Sequence, residues 1–111
     1  MFQTNKQGVV DIIRCDAPLN KDHLEDFHST TRICTDHGQP MIVLDLADTN
    51  LVDSSGLESL LDLQEQVERL GGTVKLAGAP ALITDVLRIT GVGDRFETFT
   101  TVKAAVGSFS R

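Results

Sequence analysis

The segment Met41-Ile42-Val43-Leu44-Asp45-Leu46 carries one charge in six residues. A run this short and this apolar shows no in–out alternation, so it reads as a strand covered on both faces, central in its sheet. That reading constrains the rest of the chain, because helices must then lie against the sheet and crossover connections must supply them. Val9-Val10-Asp11-Ile12-Ile13 is short and β-branched and reads as another strand. Phe2 to Asn5 is a candidate partner strand, with Lys6-Gln7-Gly8 as the turn between the two. "CDAPLN" (15–20) then breaks the pattern. Leu24, Phe27, Thr31 and Cys34 recur at three- and four-residue steps, which predicts a helix from about Asn20 to Asp36 with Asn20 as cap and Gly38 as stop.

After the central strand, "ADTN" makes a connection, and a helix is predicted to begin at Ser54 or Ser55. Its broad apolar face is Leu57, Leu60, Leu61, Leu63, Val67 and Leu70, and Gly71-Gly72 ends it. Thr73 to Ala77 is a strand; Pro80 opens a further helix with Leu82, Ile83, Val86, Leu87 and Ile89 expected inward. Gly91-Val92-Gly93 stops that helix, Phe96 to Phe99 is a short strand, and Val102 to Phe109 a last helix. The order β(β)αβαβαβα predicts an α/β fold. A mostly parallel sheet of four to five strands carries three to four packed helices, in a single domain over residues 1–111.

Composition narrows the function. Aromatic residues are 5% of the chain, with no Tyr and no Trp, so stacking platforms for single-stranded nucleic acid are scarce. A net charge of −6 repels phosphate backbones, which argues against nucleic-acid partners. "MFQTNKQGVV" lacks the apolar core of a signal peptide, and no run approaches the roughly 20 apolar residues of a membrane span, so a cytoplasmic location is expected. Cys15 and Cys34 lie far apart and read as buried thiols, not as a disulfide or a zinc site. His23, His28 and His37 make no i, i+4 pair and read as surface residues of or beside the first helix, not as ligands. Phe96 and Phe99 read as packing residues.

The chemistry concentrates in "NLVDSSGLESLL", Asn50 to Leu61, where strand character gives way to a helical pattern. A hydrolase elbow would need glycine two residues before the serine, but Val52 and Asp53 occupy those places, and every histidine precedes the serines. Neither phosphate-binding glycine motif is present. Asp45, Asp48 and Asp53 span a strand end and a loop, where acidic residues usually form turns, so no metal and no cofactor is expected. Capping is the plain reading: Ser55 with Glu58 three residues on fits a capping box, and Asp53 or Ser54 are alternative caps. Phosphorylation is the remaining reading. It would place about two negative charges near a helix N-terminus, at the sheet edge where α/β proteins carry function.

"MIVLDLADTNLVDSSGLESLLDL" resembles the signature of STAS domains, and of the small stand-alone anti-sigma factor antagonists among them. The downstream "RLGGTVKLAGAPALITDVLRITGVGDRFETF" is similar to the same family, and together the likeness covers about residues 9 to 107. The resemblance implies a binding protein and not an enzyme. It implies that Ser54 accepts the phosphoryl group, and that Asp53, Ser54, Ser55, Gly56 and Glu58 form the partner-binding loop and helix start. It also implies a partner-switching cycle: an anti-sigma factor that is a GHKL-type serine kinase binds the unphosphorylated form, phosphorylation releases it, and a PP2C-type phosphatase resets the protein. A monomer or weak dimer is expected. "CDAPLN" departs from the family's G-x-[LI/V]-D segment, and Glu58 stands where a second glycine is common. The alternative implied by the same family is a scaffold subunit that is not phosphorylated, as in lipid-transport ABC systems or stressosome-like assemblies.

Overall fold

The structure is a computed structural model that describes residues 2–36 and 38–110. The β-branched and apolar runs form five strands in one sheet, in the order β1-β2-β3-β4-β5. These are β1 (Phe2–Gln7), β2 (Val10–Cys15), β3 (Met41–Asp45), β4 (Thr73–Ala77) and β5 (Glu97–Phe99). β1 pairs antiparallel with β2 through the Gly8 turn, and every later pairing is parallel. Four α-helices alternate with the strands: α1 (Leu24–Thr35), α2 (Ser54–Arg69), α3 (Ala81–Thr90) and α4 (Val102–Ser108).

The strand order never reverses, so right-handed crossovers place α1, α2 and α3 on one face of the sheet. The side chains agree. Ile13, Ile42, Leu44, Val74 and Leu76 share a core with Phe27 and Cys34 of α1, Leu60, Leu63 and Val67 of α2, and Ile83 and Leu87 of α3. Each such leucine contributes about 1.5–3 kcal/mol by leaving water. Alternate strand residues point the other way. There Val10, Ile12, Val43 and Ala77 pack with Ala105 of α4. The apolar run of β3 is thus covered on both sides, as its sequence required.

The thinner face is held by a lysine. Lys75 lies in the middle of β4 with its side chain 7% exposed. Its Nζ donates to Ser108 Oγ at 2.6 Å, stands 3.4 Å from Glu97 Oε1, and lies 4.2 Å from the ring centroid of Phe109. Ion pairing and cation–π contact offset the cost of burying the charge, so α4 is anchored to β4.

Two expectations about the helices need correction. α1 begins at Leu24, not Asn20, because residues 21–23 form a turn. Asn20 closes that turn instead, its Oδ1 accepting from Asp22 N at 3.2 Å and lying 2.8 Å from His23 Nδ1. On α3 only Ile83 and Leu87 are buried, while Leu82 and Ile89 are 62% and 75% exposed. The helix lies over the sheet margin next to the short strand β5, so a single row of residues meets the core. Beyond the Gly91 stop, Val92–Arg95 forms a 3₁₀ turn that no sequence signal marked. Gln64 of α2 ties that turn down, donating to Arg95 O at 2.7 Å.

Both cysteines are buried and unpaired. Burial, with Asp11 adding to it, pushes the Cys34 thiol up to about 11, and burial, with Asp45 adding to it, raises the Cys15 thiol further still. A thiol raised on folding binds its proton more tightly in the native state. The stability this contributes should be fully present below pH 9, the ordinary thiol value, and should be lost as pH rises toward about 11. Urea unfolding at pH 8, 9.5 and 11 measures the decline. A thiol reagent at pH 8 should label neither cysteine faster than global unfolding.

Candidate functional site

β3 ends at Asp45, whose Oδ1 accepts from Ala47 N at 3.1 Å and turns the chain out of the sheet. The loop that follows is pinned from below. Thr49 is fully buried, and its hydroxyl donates to the carbonyl of Cys15 at the end of β2, at 2.8 Å. At the surface Arg14 closes on Asp48, with contacts of 3.0 and 2.7 Å. This pair is half-exposed, so solvent screens it and it adds little to stability.

The segment after β2 runs beside this loop. Leu19 N donates to Leu51 O at 2.9 Å, and Asp53 N donates to Leu19 O at 3.1 Å, so Leu19 and Val52 form a one-residue parallel bridge. "CDAPLN", which breaks the strand pattern in the sequence, thereby becomes the wall of the serine loop. Gly56 makes the approach possible. A Cβ on Gly56 would lie 1.9 Å from Leu19 O and 2.7 Å from its carbonyl carbon. No side chain fits there without moving backbone.

α2 starts at Ser54, and Asp53 is its cap. Asp53 Oδ1 accepts from Gly56 N at 2.8 Å, and Oδ2 reaches Lys21 N at 3.4 Å. The capping box expected from Ser55 and Glu58 does not form. Asp53 stands one residue before the helix, where an extended backbone (φ −98°, ψ −176°) aims its carboxylate at the free N–H groups. A carboxylate also gains from the helix dipole there. Ser55 falls inside the first turn and is half-buried, and Glu58 is exposed one turn on. Ser54 is exposed at the first helical position, and its hydroxyl is not engaged by the cap.

The structure thus brings Asp53, Ser54, Ser55 and Gly56 together at the carboxyl edge of the parallel sheet, with Glu58 projecting from the same helix start. Leu19, Thr49 and the Arg14–Asp48 pair were not singled out by sequence. The one available signal was Gly56 itself, a glycine in the first turn of an otherwise strong helix. His23 and His28 stand apart from the serine pair. His23 belongs to the Asn20 turn, and His28 Nε2 lies 3.2 Å from Oγ of Ser59, a serine only 4% exposed. His37 lies outside the described residues. Among the described residues no three His, Cys, Asp or Glu side chains are grouped as metal ligands, and no helix is long and apolar enough to cross a membrane.

The family model of the STAS domain matches residues 1–105. The chain belongs to the STAS domain family. Among solved structures, it superposes with a TM-score of 0.91 on a putative anti-sigma factor antagonist from Thermotoga maritima, at 20% identity over 99% of this chain and 95% of that one. The Bacillus anti-sigma factor antagonist SpoIIAA matches in its unphosphorylated form with TM-score 0.82 and 19% identity, over 99% of this chain and 96% of that one. Its phosphorylated form matches with TM-score 0.72 and 20% identity, over 98% and 99%. The murine anion transporter Slc26a9 contains a similar region, with TM-score 0.80 and 23% identity over 92% of this chain but 18% of that one. At these identities the likeness concerns the fold. No curated protein matches the chain significantly in sequence.

The cap and the close approach make separable demands. Gly56→Ala should destabilise the protein by about 2 kcal/mol or more through backbone displacement at Leu19. Asp53→Ala should cost about 0.5–2 kcal/mol, and Asp53→Asn less, since an amide oxygen still caps. Urea denaturation with unchanged m-value measures both.

Proposed function

We propose that this STAS domain is a phosphorylation-switched binding protein, with Ser54 as the phosphoacceptor. The observation that carries this is the division of labour at the start of α2. Asp53 holds the helix, so the Ser54 hydroxyl stands exposed and free of the cap. The rigid loop beneath it, fixed through Leu19 and Thr49, presents that hydroxyl on a preformed surface. Adding a phosphoryl group there places about two negative charges on a docking face without breaking any contact of the core.

The partner is an anti-sigma factor that is itself a serine kinase of the GHKL type. It binds the unphosphorylated form and, in phosphorylating Ser54 with its own ATP, weakens its hold. A PP2C-type phosphatase restores the starting state. The similarity to SpoIIAA supports this reading, since that anti-sigma factor antagonist exists in both forms. The chain acts as one unit over residues 1–111 in the cytoplasm, as a monomer or weak dimer, and does no chemistry of its own. The docking face comprises Asp53, Ser54, Ser55, Gly56 and Glu58 together with the "CDAPLN" wall.

The test is capture of partners by the tagged full chain, followed by phosphopeptide mass spectrometry after incubation with the captured kinase and ATP. Ser54→Ala should abolish labelling while leaving the unfolding midpoint within about 0.5 kcal/mol of wild type. Ser55→Ala should still be labelled, and Ser54→Asp should weaken the complex at least about tenfold. Full labelling of Ser54→Ala overturns the site. Unchanged partner binding by Ser54→Asp overturns the switch and leaves a scaffold role.

A further inference from the structure

A second site lies on the same sheet edge, two strands away from β3. Between α3, the 3₁₀ turn and β5 the surface opens into a cleft of about 360 Å³ at the carboxyl ends of β4 and β5. That is the edge at which parallel sheets bind ligands, and the volume is in the range of small-molecule pockets. The cleft is separate from Ser54: none of its lining residues belongs to the serine loop or to α2.

Its lining is chemically sorted. Ala79 and Phe99 supply apolar surface, over the buried side chains of Leu76 and Leu87. Thr84, Thr98 and Thr100 supply hydroxyls, and that of Thr84 is only weakly used, donating to Ala79 O at 3.4 Å. Two opposite charges complete it, the Arg88 guanidinium from α3 and the Asp94 carboxylate from the 3₁₀ turn. Arg88 pairs instead with Asp85, one turn back on its own helix, at 3.2 Å with both side chains largely exposed. Such an exchangeable surface pair holds its partner weakly, so Arg88 can turn to an incoming anion. Asp94 makes no ion pair with Arg88, so a ligand that carries both charges can satisfy each.

We propose that this cleft binds a small apolar zwitterion, of the size of an aliphatic amino acid or dipeptide. Its carboxylate meets Arg88, its ammonium meets Asp94, and its side chain covers Ala79 and Phe99. A nucleotide fits the chemistry poorly, because one shared guanidinium faces several phosphates with a carboxylate beside it. A purely apolar ligand leaves both charges and three hydroxyls unanswered.

The test is titration of the ¹⁵N-labelled full chain with L-leucine and with leucyl-leucine, following amide shifts. N-acetyl-leucine, which lacks the ammonium, and leucinamide, which lacks the carboxylate, are the controls. At least one zwitterion should give saturable shifts centred on Thr84, Asp94, Thr98 and Thr100, with Kd of about 1 mM or tighter. Each control should bind at least about tenfold more weakly, as should Arg88→Ala and Asp94→Ala, whose spectra also report that they remain folded. Absence of saturable shifts with both zwitterions overturns the proposal. Equal binding of the two controls, or binding that survives both substitutions, overturns the charge-recognition mechanism on which it rests. None of these measurements involves Ser54 or its partners.

Discussion

Leu19 exchanges main-chain hydrogen bonds with two residues of a neighbouring loop, and the geometry around Ser54 depends on that exchange. A bridge of one residue on each side is a small element. It fixes the height of the serine loop because both of its hydrogen bonds are between backbone groups, whose positions no side-chain rotamer can relax. Gly56 follows from it, since the carbonyl that accepts from Asp53 fills the space a Cβ would need. The cap follows as well, because Asp53 is held by its own N–H while its carboxylate reaches into α2 and toward Lys21. One backbone contact thus sets the loop, the first turn of the helix and the adjacent wall.

Around this seam the molecule is asymmetric. Three helices cover one face of the sheet, and a seven-residue helix covers the other. The thin face holds because Lys75 replaces hydrophobic bulk with a few directed contacts to Ser108, Glu97 and two phenylalanine rings. The edge that carries both proposed sites belongs to neither face. It lies at the carboxyl ends of the strands, where each crossover leaves the sheet, so the serine loop and the α3–β5 cleft are neighbours by topology.

Much of the architecture was legible because local signals agreed with the global fold. The double-sided run of β3 and the Gly71-Gly72 stop each had one structural solution, and β4 falls on the span read from sequence. The failures have physical causes. Asn20 has the chemistry of a cap, but the hydrogen bonds of Leu19 direct the chain into a turn before α1 can begin. Ser55 and Glu58 have the spacing of a capping box, yet Asp53 is better placed and carries a charge. Leu82 and Ile89 follow helical periodicity on a helix that meets the core along one narrow row. Spacing alone cannot tell a buried apolar side from an exposed one. The wall made by "CDAPLN" was hidden because a one-residue bridge has no periodicity.

The carboxylate of Asp53 has a consequence of a different kind. The start of a helix attracts anions, and a serine modified there would ordinarily be drawn onto the backbone amides, where its new charge would be partly neutralised. In this chain that seat is already taken, by a side chain one residue away. On the proposed reading, a phosphate on Ser54 would meet a helix start whose Gly56 N–H is already held by a carboxylate, and would compete with that carboxylate for the remaining amides.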